Sequence, residues 1–411
     1  MATVRRRRVF YIPGYDPIHP RRYRELYRKQ GAAQAALSDY AIALTPRAGA
    51  RYGWSVEARV EGHDVSATVE VLVWSDIVKD SMGAGVVATY AQLVRTAWTY
   101  IASGALARLL WLRKGPVIAA LYPVGMLLGQ LLLCLGAAWV LGALAAWVLG
   151  RAGAPGWAAV PAMLAVSAGV FAQGLRTFRR HDRRLFAYYL MHDYAFAARW
   201  NGANPPALET RMAAFGDAIA RALTEDVDEV LVVGHSSGAH LAVSVLADLI
   251  REGRVPQNGP ALSFLSLGQV IPMMSFLPGA HRLRADLNLL GGTDRLFWLD
   301  VTAPGDGCAF ALCDPVAVTG VAPPARTGPL VLSAAFSRTL RAETWAALRW
   351  RFFRLHFQYL CAFDNLACDP AAYDYFRVTA GPLSLRERFA GRRASKNRID
   401  RPASRYTSMA A

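Results

Sequence analysis

Apolar and polar positions alternate along most of this chain in short blocks, and the period of the pattern changes from block to block. Residues 8–12 form an apolar run ending at Pro13-Gly14 and predict a strand. Residues 19–37 are polar with helix-compatible spacing, and 40–44 predict a strand. Residues 54–60 and 68–74 predict a hairpin that turns at Glu61-Gly62-His63-Asp64. Further on, 185–197 and 208–223 predict helices, 229–233 a buried strand and 239–251 another helix. Residues 262–271 and 295–301 predict two more strands, and 344–362 one or two aromatic-rich helices. Strands alternating with helices predict an α/β fold, with a mostly parallel sheet flanked by helices. The last stretch, 383–411, is rich in Arg and Ser, has few large apolar groups and predicts a basic flexible tail.

In the middle of the chain polarity disappears. Residues 116–149 are uncharged over 34 positions, more than the ~20 a bilayer core needs. Such a helix must tilt, kink near Pro123 and Gly125, or run out beyond the core. After a Gly/Pro break at 150–156, residues 157–175 form a second uncharged run of 19. The pair predicts a transmembrane helical hairpin whose small residues permit close approach. A helical hairpin buried in a soluble core is the plainer alternative, and a re-entrant or monotopic insertion is a further one. Arg113 and Lys114 precede the hairpin; Arg176, Arg179, Arg180, Arg183 and Arg184 follow it; the loop carries only Arg151. The bias of positive charge toward the cytoplasm then places both ends inside. Residues 86–112, where only Arg95 and Arg108 are charged, predict an interfacial helix leading in. The expected organisation is one domain divided by a membrane insert: 1–85, then membrane-associated helices over 86–184, then 185–382, then the tail 383–411.

Composition narrows the class. The 411 residues are 54% hydrophobic and only 18% charged, which excludes a charge-solvated disordered chain. Lys and Arg number 46 against 30 Asp and Glu, a net charge of +16. A chain both greasy and basic points to an anionic membrane surface before nucleic acid, and no nucleic-acid motif accompanies the Arg clusters. A solvated or headgroup-facing role is expected for Arg5 to Arg8 and for Arg176 to Arg184. The five Cys (Cys134, Cys308, Cys313, Cys361, Cys368) form no CxxC pair and predict reduced thiols, neither a disulfide framework nor a metal site. The run after Arg5–Arg8 is too short for a secretory signal, so the N-terminus is expected to stay in the cytoplasm.

The informative motif is Gly234-His235-Ser236-Ser237-Gly238, between the apolar strand and the helix beginning at Ala239. A serine nucleophile needs a sharp strand-to-helix turn that lifts its Oγ clear of the sheet. Glycines two before and two after remove side chains that would clash there. The helix N-terminus behind it offers N–H groups to a developing oxyanion. In this elbow, and in the order of elements around it, the sequence resembles the α/β-hydrolase superfamily, and its lipase and esterase branches in particular.

The resemblance implies a triad in the chain order Ser, acid, His. Of the eight His, only His281 and His356 follow the elbow and its helix, and His281 precedes the strand 295–301. The implied base is therefore His356. The implied acid lies after a late strand: Asp306, in Ala303-Pro304-Gly305-Asp306-Gly307, with Asp300 as runner-up inside the strand. Ile12-Pro13-Gly14-Tyr15 resembles the oxyanion loops of lipases, although Pro13 stands where the family often has His. The Tyr15 N–H would pair with that of Ser237 as oxyanion donors. The expectation is a serine hydrolase of the inner, plasma membrane with its catalytic domain on the cytoplasmic side. It would cleave an acyl ester carried by membrane lipid, with no cofactor, metal or nucleic-acid partner. An acyltransferase or thioesterase with the same triad, and a non-catalytic membrane scaffold, are the alternatives.

Overall fold

Arg6–Ile12 form β1, and the alternation of the strand gives way to continuous burial from Val9 to Ile12 because both of its faces are covered. In this computed structural model, which describes residues 3–38, 40–47, 52–83, 85–369 and 372–410, β1 lies inside an eight-stranded sheet. The others are β2 (Ala41–Pro46), β3 (Gly53–Val60), β4 (His63–Val71), β5 (Glu229–His235), β6 (Ala261–Leu267), β7 (Phe297–Thr302) and β8 (Leu330–Ser333). Their spatial order is β2-β3-β4-β1-β5-β6-β7-β8. Every pair from β4 to β8 is parallel, and β2-β3 and β3-β4 are antiparallel. The expected α/β architecture with a mostly parallel sheet is therefore present. From β1 the chain crosses to the edge strand β2 and returns inward through β3 and β4, whereas from β5 it steps outward through β6, β7 and β8. The carboxyl ends of the neighbours β1 and β5 border the place where such sheets hold ligands.

Several local expectations shift. The hairpin turns on two residues, Glu61 and Gly62, both with positive φ, so β4 begins at His63 and not at 68. That primed turn matches the twist of the strands it joins. β6 ends at Leu267, where Gly268 takes φ +52° and leads into the short helix Ile271–Ser275. β8 has no counterpart in the sequence pattern, because its four residues are too few to carry a period. Residues 344–362 break into the helices Ala342–Leu348 and Phe352–His356 and a 3₁₀ turn, Gln358–Leu360.

Two basic segments depart from expectation. Arg7 is buried: its guanidinium pairs with Glu229 at 2.6 Å and donates to the carbonyls of Gly381 and Leu383. Arg8 pairs with Glu70 and Glu225. These two arginines belong to the sheet, not to a headgroup-facing cluster, because a charged donor inside a fold must find acceptors. The segment 383–411 is not a free tail over its described residues. Leu385 N donates to Glu229, Ser395 N to Val331 O, Ala403 N to Val318 O, and the Ser408 carbonyl accepts from Arg284. Backbone hydrogen bonds hold it, which composition does not report.

The chain divides into two compact units. One contains the sheet and comprises Met1–Asp80, Tyr100–Val117 and Trp200–Ala411; the other comprises Ser81–Thr99 and Ile118–Arg199. The insert is thus entered twice, and 100–117 belongs with the sheet while 185–199 does not. The interfacial stretch is broken at Gly104 (φ +73°) into Val86–Ala102 and Ala105–Leu112. In the second unit, Leu93, Leu127, Tyr188 and Met191 pack together. The helices Lys114–Arg151 and Gly156–Arg180 are long and apolar enough to cross a membrane by length and composition. Only 17% and 6% of their most apolar windows are buried, unlike the helices of a soluble core. Ser167 Oγ donates to Ala138 O between them. The side chain of Arg183 lies outside those described. Cys134, Cys308, Cys313 and Cys361 are free thiols, and the Cys368 side chain also lies outside those described.

Candidate active site

β5 ends at His235, and the chain turns within two residues into the helix Gly238–Arg251. Ser236 carries the turn at φ +56°, a left-handed conformation that is strained for a residue with a Cβ. Its N–H donates to Leu267 O at 2.9 Å and its carbonyl accepts from Ala239 N at 3.1 Å, so β6 and the helix both hold it. The two motif glycines are required by contact. A Cβ on Gly234 would stand 2.7 Å from Ala239 Cα, and one on Gly238 would stand 2.6 Å from the Pro13 carbonyl oxygen. The elbow helix therefore rests directly on the loop that leaves β1. On that loop, a Cβ on Gly14 would stand 3.0 Å from Ser236 Cβ, and Trp74 Nε1 donates to Pro13 O at 2.9 Å.

His356 ends the short helix Phe352–His356, and its Nδ1 lies 2.7 Å from Asp306 Oδ2. Asp306 is 2% exposed in the loop after β7. The same Oδ2 accepts from Tyr359 Oη at 3.0 Å, and Oδ1 accepts from Cys308 N at 2.9 Å. Both oxygens are engaged, so the carboxylate cannot turn away from the imidazole. The His356 ring rests on Gly268, where a Cβ would stand 3.1 Å from Cε1. Gly268 follows Leu267, whose carbonyl binds Ser236 N, so the end of β6 brings the elbow and the imidazole together. Among the described residues Ser236 Oγ makes no hydrogen bond. Nucleophile–base contacts in a free enzyme are often long and close on substrate.

The structure leaves the other sequence candidates elsewhere. Asp300 is fully buried beside β6, with Ser266 Oγ donating to it at 2.5 Å, and burial pushes its carboxyl up to about 8. Asp300 makes no bond to His356. His281 pairs with Arg284. His240 is buried in the elbow helix, where loss of water pulls it down to about 4. The expected oxyanion amide is already engaged: Tyr15 N donates to Ser237 Oγ at 2.8 Å. That hydroxyl keeps its own proton to donate, beside the Ser237 N–H at the helix N-terminus.

No protein-family model matches the chain, and neither a curated protein nor a solved structure matches it.

Three further residues of the site were not singled out from sequence. His235, inside the elbow, donates from Nε2 to the His356 carbonyl at 3.0 Å and lies with its ring centroid 4.9 Å from that of His356. Burial holds it down to about 3, so it stays a neutral donor. Tyr359 links Asp306 to the backbone of Ala303, whose N–H it accepts at 2.9 Å. Cys308, Asp306 and His356 each offer one ligand atom, all within 4.8 Å of one another. These three could hold a metal ion, although the trio lacks any local spacing that would mark it in the sequence.

Proposed function

We propose that this chain is a membrane-anchored serine hydrolase that cleaves an acyl ester, with membrane lipid as the natural carrier of that ester. One observation chiefly supports the reading: a serine held at positive φ on a strand-to-helix elbow, in the same site as a buried imidazole whose Nδ1 is bonded to a fully engaged carboxylate. Ser236 Oγ attacks the acyl carbon. His356 takes the serine proton at Nε2 and passes it to the leaving alkoxide. Asp306 keeps Nδ1 protonated and stabilises the imidazolium that forms. The tetrahedral oxyanion is stabilised by the Ser237 N–H, aided either by the Ser237 hydroxyl or by the Tyr15 N–H once that hydroxyl rotates away. Water then cleaves the acyl-enzyme by the same proton relay run in reverse. An acyltransferase uses the same steps with another acceptor.

The test is labelling of membranes by a fluorophosphonate, wild type beside Ser236→Ala and His356→Ala. Labelling of wild type alone is expected; a folded wild type that does not label overturns the reading. A zinc hydrolase built on Asp306, Cys308 and His356 is the second reading. It predicts loss of turnover in a chelator and its return with zinc, whereas the serine mechanism is indifferent to both.

A further inference from the structure

The six residues before Leu355-His356 read Arg349-Trp350-Arg351-Phe352-Phe353-Arg354, and all six are exposed. Trp350 is 72% exposed and Phe352 49%, an unusual display of aromatic surface on one short segment. Three arginines are interspersed with the three rings, and the Arg349 guanidinium lies 5.6 Å from the Trp350 ring centroid. No carboxylate forms an ion pair with Arg349, Arg351 or Arg354 among the described residues. Trp and Arg together are suited to the boundary between lipid headgroups and hydrocarbon.

The segment adjoins the point where the chain leaves for its apolar helices. Phe352 packs on Gly307, beside Asp306: a Cβ there would stand 3.3 Å from Phe352 Cδ1. On Gly307 also rests Gly115, whose Cβ would stand 3.3 Å from Gly307 Cα. Gly115 lies in the first turn of Lys114–Arg151, and that turn belongs to the unit with the sheet. The uncharged run begins at the next residue, Pro116. Arg113 anchors the turn through Ala311 O at 2.8 Å. Trp111, 74% exposed, stands just before it with Arg108 over its ring. The aromatic–arginine segment therefore lies beside the residues at which the uncharged run starts.

We propose that residues 349–354, with Trp111, form a docking surface for an anionic phospholipid bilayer. The rings enter the interface and the arginines meet headgroup phosphates. Docking holds the Asp306–His356 loops against the membrane. That the acyl chain then reaches Ser236 from the bilayer rests on the hydrolase reading; the docking surface does not.

The experiment uses the full chain in nanodiscs of phosphatidylcholine, with and without phosphatidylglycerol, carrying brominated acyl chains. Quenching of tryptophan fluorescence is compared between wild type and Trp350→Phe. A Trp350-dependent quenched component is expected in the anionic discs. Three arginines at such a surface are worth on the order of 100-fold in occupancy, so Arg349→Glu, Arg351→Glu and Arg354→Glu together should abolish that component. Absence of the component in anionic discs overturns the docking surface, whatever the serine does. Equal quenching in both lipids overturns the anionic requirement. In a second arm, hydrolysis of a soluble ester should be unchanged in the triple variant while that of a bilayer ester falls at least tenfold. Inactivity on both esters in wild type would count against the hydrolase reading and leave the quenching result standing.

Discussion

Asp306→Asn tests the proposed relay most directly. The carboxylate takes His356 Nδ1 and Tyr359 Oη on Oδ2 and Cys308 N on Oδ1. An amide offers one acceptor atom and one donor in place of these two acceptors. If its NH₂ faces His356, a donor meets a donor and the imidazole turns to the wrong tautomer. If it flips, the tautomer survives but the Cys308 N–H is left unpaired, and no negative charge balances the imidazolium. Either orientation weakens the transition state; kcat/KM should fall between about 10²- and 10⁴-fold, or about 3–5 kcal/mol. Stability should drop by only about 1–3 kcal/mol, the cost of one unsatisfied buried donor. The assay is kcat/KM on a soluble p-nitrophenyl ester, beside the rate of fluorophosphonate inactivation and a denaturant midpoint. A folded variant within tenfold of wild type would refute the role assigned to Asp306. Asp300→Asn is the control, expected within about threefold, since Asp300 does not touch His356.

Other outcomes follow from the same geometry. Ser237→Ala frees the Tyr15 N–H; activity is retained if the amide is the oxyanion donor and falls about 10²-fold if the hydroxyl is, read as kcat at saturating substrate. Asp300 keeps its proton in the fold up to about pH 8, whereas the unfolded chain loses it near 4. Stability should therefore decline as pH rises through that window, by up to about 1.4 kcal/mol per unit, and Asp300→Asn should remove this slope from denaturant midpoints taken at pH 5 to 8. His240 behaves oppositely. Its folded value is lowered to about 4, so the unfolded chain takes up a proton first and stability is lost as pH falls from about 6.5 toward 4. Both its ring nitrogens are buried without partners among the described residues; His240→Leu should stabilise by about 1–3 kcal/mol at neutral pH and flatten the acid limb.

What could be read in advance depended on how local its cause was. The elbow was legible because strand, turn and helix are consecutive and glycine is the residue that two close backbone approaches allow. The apolar helices were legible because length and absence of charge are properties of a run. The alternation of strands and helices gave the α/β class because burial imposes its period on neighbouring residues. The pairing of His356 with Asp306 lay in between: chain order proposed it across 50 residues, but only folding brings the atoms to 2.7 Å. The rest was decided by tertiary structure. Arg7 looked like part of a surface cluster until Glu229, more than 200 residues away, came opposite it. The segment 383–411 looked free until carbonyls of Val331 and Val318 met its amides. His235, Tyr359 and Cys308 carry no local mark of their contacts with the site. Sequence reports what a residue does to its neighbours in the chain; a hydrogen bond between distant segments depends on where the sheet puts them.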